Sequence, residues 1–218
     1  MSWQRLSDKA AAVGLAVRGA LHPEDGDAAP KNTGTLVLLG PDEPRFWSIF
    51  TASQEARDAQ PDPMDRWSKR VIRQLAVQLN GAAIFPSDGP PYPAFLHWAQ
   101  RSGRAHLAPV GLMVHDDAGL FLSYRGALAL PDRLPIPVAP RTPCLDCETR
   151  PCEMACPVSA LTVDAAYDVP SCKAHVTSAG GTECLTKGCE VRRACPISQR
   201  FGRLDAQSAF HMRAFAKG

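Results

Sequence analysis

The first 143 of the chain's 218 residues contain no cysteine, so any thiol chemistry is confined to residues 144–218. Nor does any run approach the 18 or so apolar residues of a membrane span, and no lipidation signal is present, so a membrane partner is not expected. Charge of one sign is lacking as well. The 24 Lys and Arg nearly balance 22 Asp and Glu, giving a formal +2. No basic stripe is interleaved with aromatics, which argues against nucleic acid as a partner. A chain of this length, 45% hydrophobic, can bury one sizeable domain or a domain plus a small module.

What is present is concentrated. All eight cysteines fall between Cys144 and Cys195, in two runs that each close on Cys-Pro, an apolar residue and serine. The first contains Cys144, Cys147, Cys152 and Cys156-Pro157-Val158-Ser159. The second contains Cys172, Cys184, Cys189 and Cys195-Pro196-Ile197-Ser198. A cubane needs four soft thiolates converging from different directions, so a tight loop supplies three and distant chain supplies the last.

This layout resembles that of bacterial two-cluster ferredoxins, in which the cysteine beside proline reaches over to the other cluster. The resemblance implies Cys144, Cys147, Cys152 and Cys195 on one [4Fe–4S] cluster, with Cys156, Cys172, Cys184 and Cys189 on the second. Four residues separate Cys147 from Cys152 where the ferredoxin pattern has two, so that loop is expected to bulge around Pro151. Two oxidised cubanes would bring the formal charge to about −2. Two tetrahedral zinc sites are an alternative, although Cys-x-x-Cys occurs only at Cys144 and Cys147. Disulfides are another. They would require export, for which the Ala/Gly-rich stretch from Ala10 to Val17 is a poor signal. A reduced, cytoplasmic setting is therefore expected.

Ahead of the cysteines, the pattern predicts helices over Ser2–Val13, Glu43–Gln54 and Pro63–Leu79, and a further one carrying Phe95, Trp98 and Ala99. Met64, Trp67, Val71, Ile72, Leu75 and Leu79 give the third of these its apolar face. Strands are expected at Gly34–Gly40 and Ala82–Phe85. A hairpin should join Gly111–Val114 to Leu120–Tyr124. Such a mixture implies a mixed sheet covered by helices, an α+β domain over residues 1–134, followed by a two-cluster module over 135–218. Pro131, Pro135, Pro137, Pro140 and Pro143 read as an extended strap.

The cysteine module also resembles that of epoxyqueuosine reductases and corrinoid-dependent reductive dehalogenases, down to the lone Cys172. The segments Pro63–Trp67 and Gly111–Pro131 resemble the cobalamin-processing chaperone of the cblC type. Those families imply a nitroreductase-like fold. They imply a redox protein whose clusters pass electrons from a low-potential donor (flavodoxin, ferredoxin or a reductase) to a corrinoid, or a flavin, on the N-terminal domain. The long N-terminal domain, its acidic catalytic residue and the tRNA-gripping repeat of epoxyqueuosine reductases have no counterpart here. Neither has the cobalt-binding Asp-x-His-x-x-Gly motif, since Arg104 stands two residues before His106.

Four residues are candidates for a cofactor pocket. His115 at a strand end could bond a cofactor amide, Arg125 could clamp a carboxylate or phosphate through its fork, and Tyr92 and Tyr124 could line the walls. Each has a plainer reading as a solvated turn, an ion pair or core. Lys173, Lys187, Arg192, Arg193 and Arg200 would raise a nearby cluster's potential or dock an acidic donor. A ferredoxin-like carrier with no organic cofactor and a zinc-stabilised interaction protein remain the alternatives.

Overall fold

The computed structural model describes residues 1–217, and the fold is α+β. Two compact units are resolved: Met1–Arg104 with Ser123–Pro140, and Ala105–Leu122 with Arg141–Gly218. The division differs from a single break at 134/135. Eighteen residues expected in the first domain belong to the cysteine-bearing unit.

The first unit opens with α1 (Trp3–Ala12), whose start is set by the Ser2 hydroxyl accepting from the Arg5 amide at 3.3 Å. A four-stranded sheet follows, made of β1 (Leu15–Leu21), β2 (Thr35–Pro41), β3 (Ala82–Ile84) and β6 (Gly126–Leu130), in the order β1-β2-β6-β3. Every pair is antiparallel. All residues of β2 and β6 are buried, because both strands lie inside the sheet and are paired on both sides. Gly34 sits against the backbone of Pro131 and Asp132, where an added Cβ would come within 2.3 Å of a carbonyl oxygen. The strap that begins there is pinned by Thr35. Its hydroxyl donates to the Asp132 carbonyl and accepts from the Leu134 amide, both at 2.8 Å. Residues 131–142 form neither helix nor strand.

The expected helix over Glu43–Gln54 is instead two, α2 (Arg45–Thr51) and α3 (Gln54–Arg57). Ser53 caps the second by accepting from the Ala56 amide, so the chain turns there. The strongest prediction holds: α4 (Pro63–Gln78) buries Met64, Trp67, Val71, Ile72 and Leu75, with Pro63 in the first turn, where its missing N–H costs nothing. Trp67 meets the edges of Phe46 and Phe50 at centroid distances of 5.3 and 6.1 Å. Then α5 (Phe95–Arg101) buries Trp98, whose indole N–H donates to the Asp27 carbonyl at 2.6 Å.

Arg70 clasps Glu55 in a fork, Nε to Oε1 at 2.5 Å and Nη2 to Oε2 at 3.0 Å. This bond draws the Glu55 carboxyl from 4.5 down to about 2. A depressed folded-state value means the pair stabilises above about pH 4.5 and loses that contribution as pH falls toward 2. Because Arg70 is half exposed, the contribution is only about 1 kcal/mol. Glu55→Gln should lower stability by roughly that amount at pH 7 and flatten the acid limb in this window, measured by urea unfolding at stepped pH.

Candidate metal centre

In the second unit, β4 (Ala105–Leu107) pairs antiparallel with β5 (Met113–His115), and five short helices follow: α6 (Val169–Val176), α7 (Thr182–Lys187), α8 (Glu190–Ala194), α9 (Pro196–Arg200) and α10 (Asp205–Lys217). The expected hairpin partner, Leu120–Tyr124, is not a strand. His115 and Gly119 close a tight bridge, and the chain beyond runs past α9.

Cys144, Cys147, Cys152 and Cys195 line one pocket of about 380 Å³, walled by Ala108, Val114, Leu120 and Ile197. How the chain delivers them follows from local rules. Cys144 lies in a single 3₁₀ turn, and Cys147 follows two residues beyond its end. The four-residue spacer before Cys152 turns at Arg150, which takes the left-handed conformation (φ 39°). Pro151 then opens a second 3₁₀ turn that buries Cys152. Cys195 arrives at the junction of α8 and α9. A residue before proline avoids helical geometry, so Cys195 is extended (φ −63°, ψ 124°) and breaks one helix from the next.

A second group of thiols is made of Cys172 on α6, Cys184 on α7 and Cys189 at the start of α8. Cys172 and Cys189 act electrostatically on one another, as do Cys189 and Cys184. Cys156 accepts the Ala160 amide at 3.2 Å and packs at the margin of the apolar cluster that also includes Cys152, Cys195 and Val191. All eight thiols are free of disulfides. Among the described residues, no three His, Cys, Asp or Glu side chains converge as ligands of a metal ion. Four thiolates around a single zinc would each lie about 2.3 Å from one point. The Cys144 set lines a pocket, and its donors are soft and of one kind, a donor chemistry that suits zinc and iron–sulfur alike.

Burial governs the protonation of these groups. It pushes Cys152 and Cys184 up to about 11 and raises Cys144 and Cys189, with the neighbouring thiols adding to the rise. Backbone amides of Arg192 and Val191 counter part of the rise at Cys189. At these four cysteines burial favours the neutral thiol, so metal binding there would release protons.

The hairpin loop is fastened to this site. The His115 ring, fully buried, accepts the amides of Asp117 and Ala118 at Nδ1, both at 3.1 Å. Gly119 (φ 56°) passes so close to Ser198 that an added Cβ would come within 2.4 Å of its backbone nitrogen. The Leu120 amide donates to Ser198 Oγ at 2.8 Å, Arg192 donates to the Leu120 carbonyl, and Arg203 donates to the Phe121 carbonyl at 2.9 Å. Sequence reasoning missed Ser198, Arg203 and the structural task of Arg192. The serine that closes each Cys-Pro run was the available signal.

The four pocket candidates are dispersed. His115 lies in the second unit with its Nδ1 committed to the turn, and Tyr92 is 68% exposed in the first. Only Tyr124 and Arg125 come together. They line a pocket of about 350 Å³ in the first unit with Asp65, Ser68, Lys69 and Ser87. Arg125 Nε is buried there without a hydrogen-bond partner, and Nη1 stands 4.0 Å from Asp65. Desolvation pulls its guanidinium below the ordinary value, partly offset by Asp65. Of the five cations near the cysteines, Arg193 donates to the Gly188 carbonyl and pairs with Glu183, Lys187 also pairs with Glu183, and Lys173 lies 5.4 Å over Phe215. Arg200 borders the Cys144 pocket.

Ser198→Ala should leave the Leu120 amide without its acceptor and cost about 1–2 kcal/mol. Gly119→Val, strained in both φ and space, should cost more. Chemical denaturation of each variant checks the order. Set against family models, curated proteins and solved structures, the chain matches none, so the reading of the site rests on these residues.

Proposed function

We propose that this chain is an iron–sulfur redox protein that passes electrons through two [4Fe–4S] clusters to a ligand on its N-terminal unit. Cys144, Cys147, Cys152 and Cys195 would hold one cluster, and Cys156, Cys172, Cys184 and Cys189 the other. The observation that carries this reading is the crosswise delivery of Cys195, from the end of the second run, into the pocket of the first three cysteines. When bound, such clusters supply one-electron transfer at low potential. The chain's own residues supply an apolar wall through Val114, Leu120 and Ile197 and four thiols that could serve as soft ligands.

A corrinoid is the ligand that the resemblance favours for the first unit, in a nitroreductase-like arrangement. The Arg125 pocket supports a narrower version of that idea. About 350 Å³ is the low end of small-molecule sites, so it suits one anionic or amide-bearing arm of a cofactor rather than an enclosed macrocycle. A low-potential flavodoxin, ferredoxin or reductase would be the donor. Arg192, Arg193 and Lys187 are engaged within the unit and Lys173 lies over Phe215, which leaves Arg200, bordering the Cys144 pocket, as the better cation for such docking.

Anaerobically loaded protein should carry about eight irons and as many acid-labile sulfides per chain. Cys195→Ala should lose roughly half of both, read by metal and sulfide analysis. Stoichiometric zinc in colourless protein, lost to a chelator with unfolding, would establish the zinc-stabilised alternative instead. Cobalamin added to the loaded chain should shift toward its base-off spectrum, and Arg125→Ala should weaken that binding about tenfold. An unchanged spectrum would leave the carrier without an organic cofactor as the better reading.

A further inference from the structure

The first unit keeps two cations in one small cavity without giving either a hydrogen-bonded carboxylate. Three elements build this cavity of about 350 Å³: α4 brings Asp65, Ser68 and Lys69, the turn after β3 brings Phe85 and Ser87, and the entry to β6 brings Tyr124 and Arg125. Their backbones are held firmly. The Arg125 amide donates to the Leu39 carbonyl of β2 at 2.8 Å, and a Cβ added at Gly126 would crowd Ile72, Ile84 and Phe85. The turn over residues 85–88 closes on itself. The Asp88 carboxylate accepts the Phe85 amide at 2.9 Å, and the Asp88 amide donates to the Phe85 carbonyl at 3.0 Å.

The charged groups are short of acceptors by comparison. Arg125 Nε is buried without a hydrogen-bond partner, and Nη1 stands 4.0 Å from the exposed Asp65 carboxylate. Lys69 Nζ stands 4.0 Å from the equally exposed Asp88 and 5.9 Å from the centre of the Phe85 ring. Both separations are beyond hydrogen-bond reach. Ser68 has its hydroxyl bound to the Met64 carbonyl at 2.7 Å, whereas Ser87 adds a hydroxyl at the exposed rim.

We propose that this cavity is a binding site for a phosphate group, free or as a small monoester, held by Arg125, Lys69 and the Ser87 hydroxyl. A guanidinium fork, an ammonium and a hydroxyl together offer more donors than the two oxygens of a carboxylate take up, and they suit the three terminal oxygens of a phosphate. The volume is at the low end for small-molecule sites, enough for the anion and a small organic group. Asp65 opposes the dianion and so holds the affinity down. This deepens the reading of a ligand on the N-terminal unit and rests on that part of it alone, with or without clusters.

Inorganic phosphate titrated into the full-length protein at neutral pH and constant ionic strength, followed by calorimetry, should bind at a single site. Arg125→Gln should weaken it roughly tenfold or more, and Lys69→Gln roughly threefold. Asp65→Asn should tighten it about threefold, a gain that loss of packing would not produce. Lys69 and Asp65 reach solvent from α4, so these two variants test the site even if Arg125→Gln fails to fold. Acetate should bind roughly tenfold more weakly than phosphate. Wild-type protein that takes up no phosphate, or an affinity unmoved in both Lys69→Gln and Asp65→Asn, would overturn the proposal. Acetate binding as well as phosphate would overturn the choice of anion. The cobalamin titration fails separately: phosphate bound by a chain that leaves the corrinoid spectrum unchanged keeps this site and removes the corrinoid, and a shifted spectrum without phosphate binding does the reverse.

Discussion

Burial makes thiols costly to ionise, and four of the eight in the second unit lie under that constraint. Cys152, Cys184 and Cys195 are buried, and burial disfavours the thiolate form at Cys144, Cys152, Cys184 and Cys189. Four such sulfurs around one cavity would repel one another as anions. As neutral thiols they contribute little beyond packing. A multivalent cationic core would resolve the conflict, because it would replace several protons at once and offset the water that each sulfur has lost. The short helices of this unit fit the same account. A module with five helices of five to thirteen residues has little continuous core of its own, and small modules of this kind lean on metal or sulfur cross-links for stability.

The hairpin loop shows how the protein half of that core is completed. Val114 and Leu120 come from sequence well before the cysteines, yet they belong to the same apolar cluster as Cys152, Cys195 and Val191. Hydrogen bonds hold them there. Ser198 takes the Leu120 amide and Arg192 takes its carbonyl, so both backbone groups of a buried residue are satisfied from α8 and α9. An Arg that looks like a docking charge in the sequence is, in the fold, a clamp. Its guanidinium does two things at once, satisfying a buried carbonyl and placing positive charge near Cys189.

Legibility in the sequence followed the range of the interaction. The α4 face, the opening helix, the bulge before Cys152 and the proline strap were all readable, because each depends on residues within a turn or two. Cys195 lines one pocket with Cys144, Cys147 and Cys152, and their expected assignment to a single cluster came from the resemblance to two-cluster ferredoxins. Strands β1 and β6 were not. Gly126–Leu130 contains alternating Ala and Leu without a β-branched residue, and nothing local distinguishes it from helix; its place between β2 and β3 makes it a strand. The hairpin was assigned the wrong partner for a similar reason. Leu120–Tyr124 is apolar enough for a strand, but its backbone groups are claimed by Ser198, Arg192 and Arg203, about 70 to 80 residues away.

Arg125 poses the opposite electrostatic problem to the thiols. Its guanidinium is largely desolvated, and its nearest carboxylate, Asp65, is 61% exposed and 4.0 Å away, at the limit of an ion pair. A buried donor left without an acceptor costs about 1–3 kcal/mol, more when it is charged. The fold could have removed that cost with a hydrophobic residue, since β6 behind it is apolar throughout. The cation is instead kept in a cavity whose lining also includes Lys69 and Ser87.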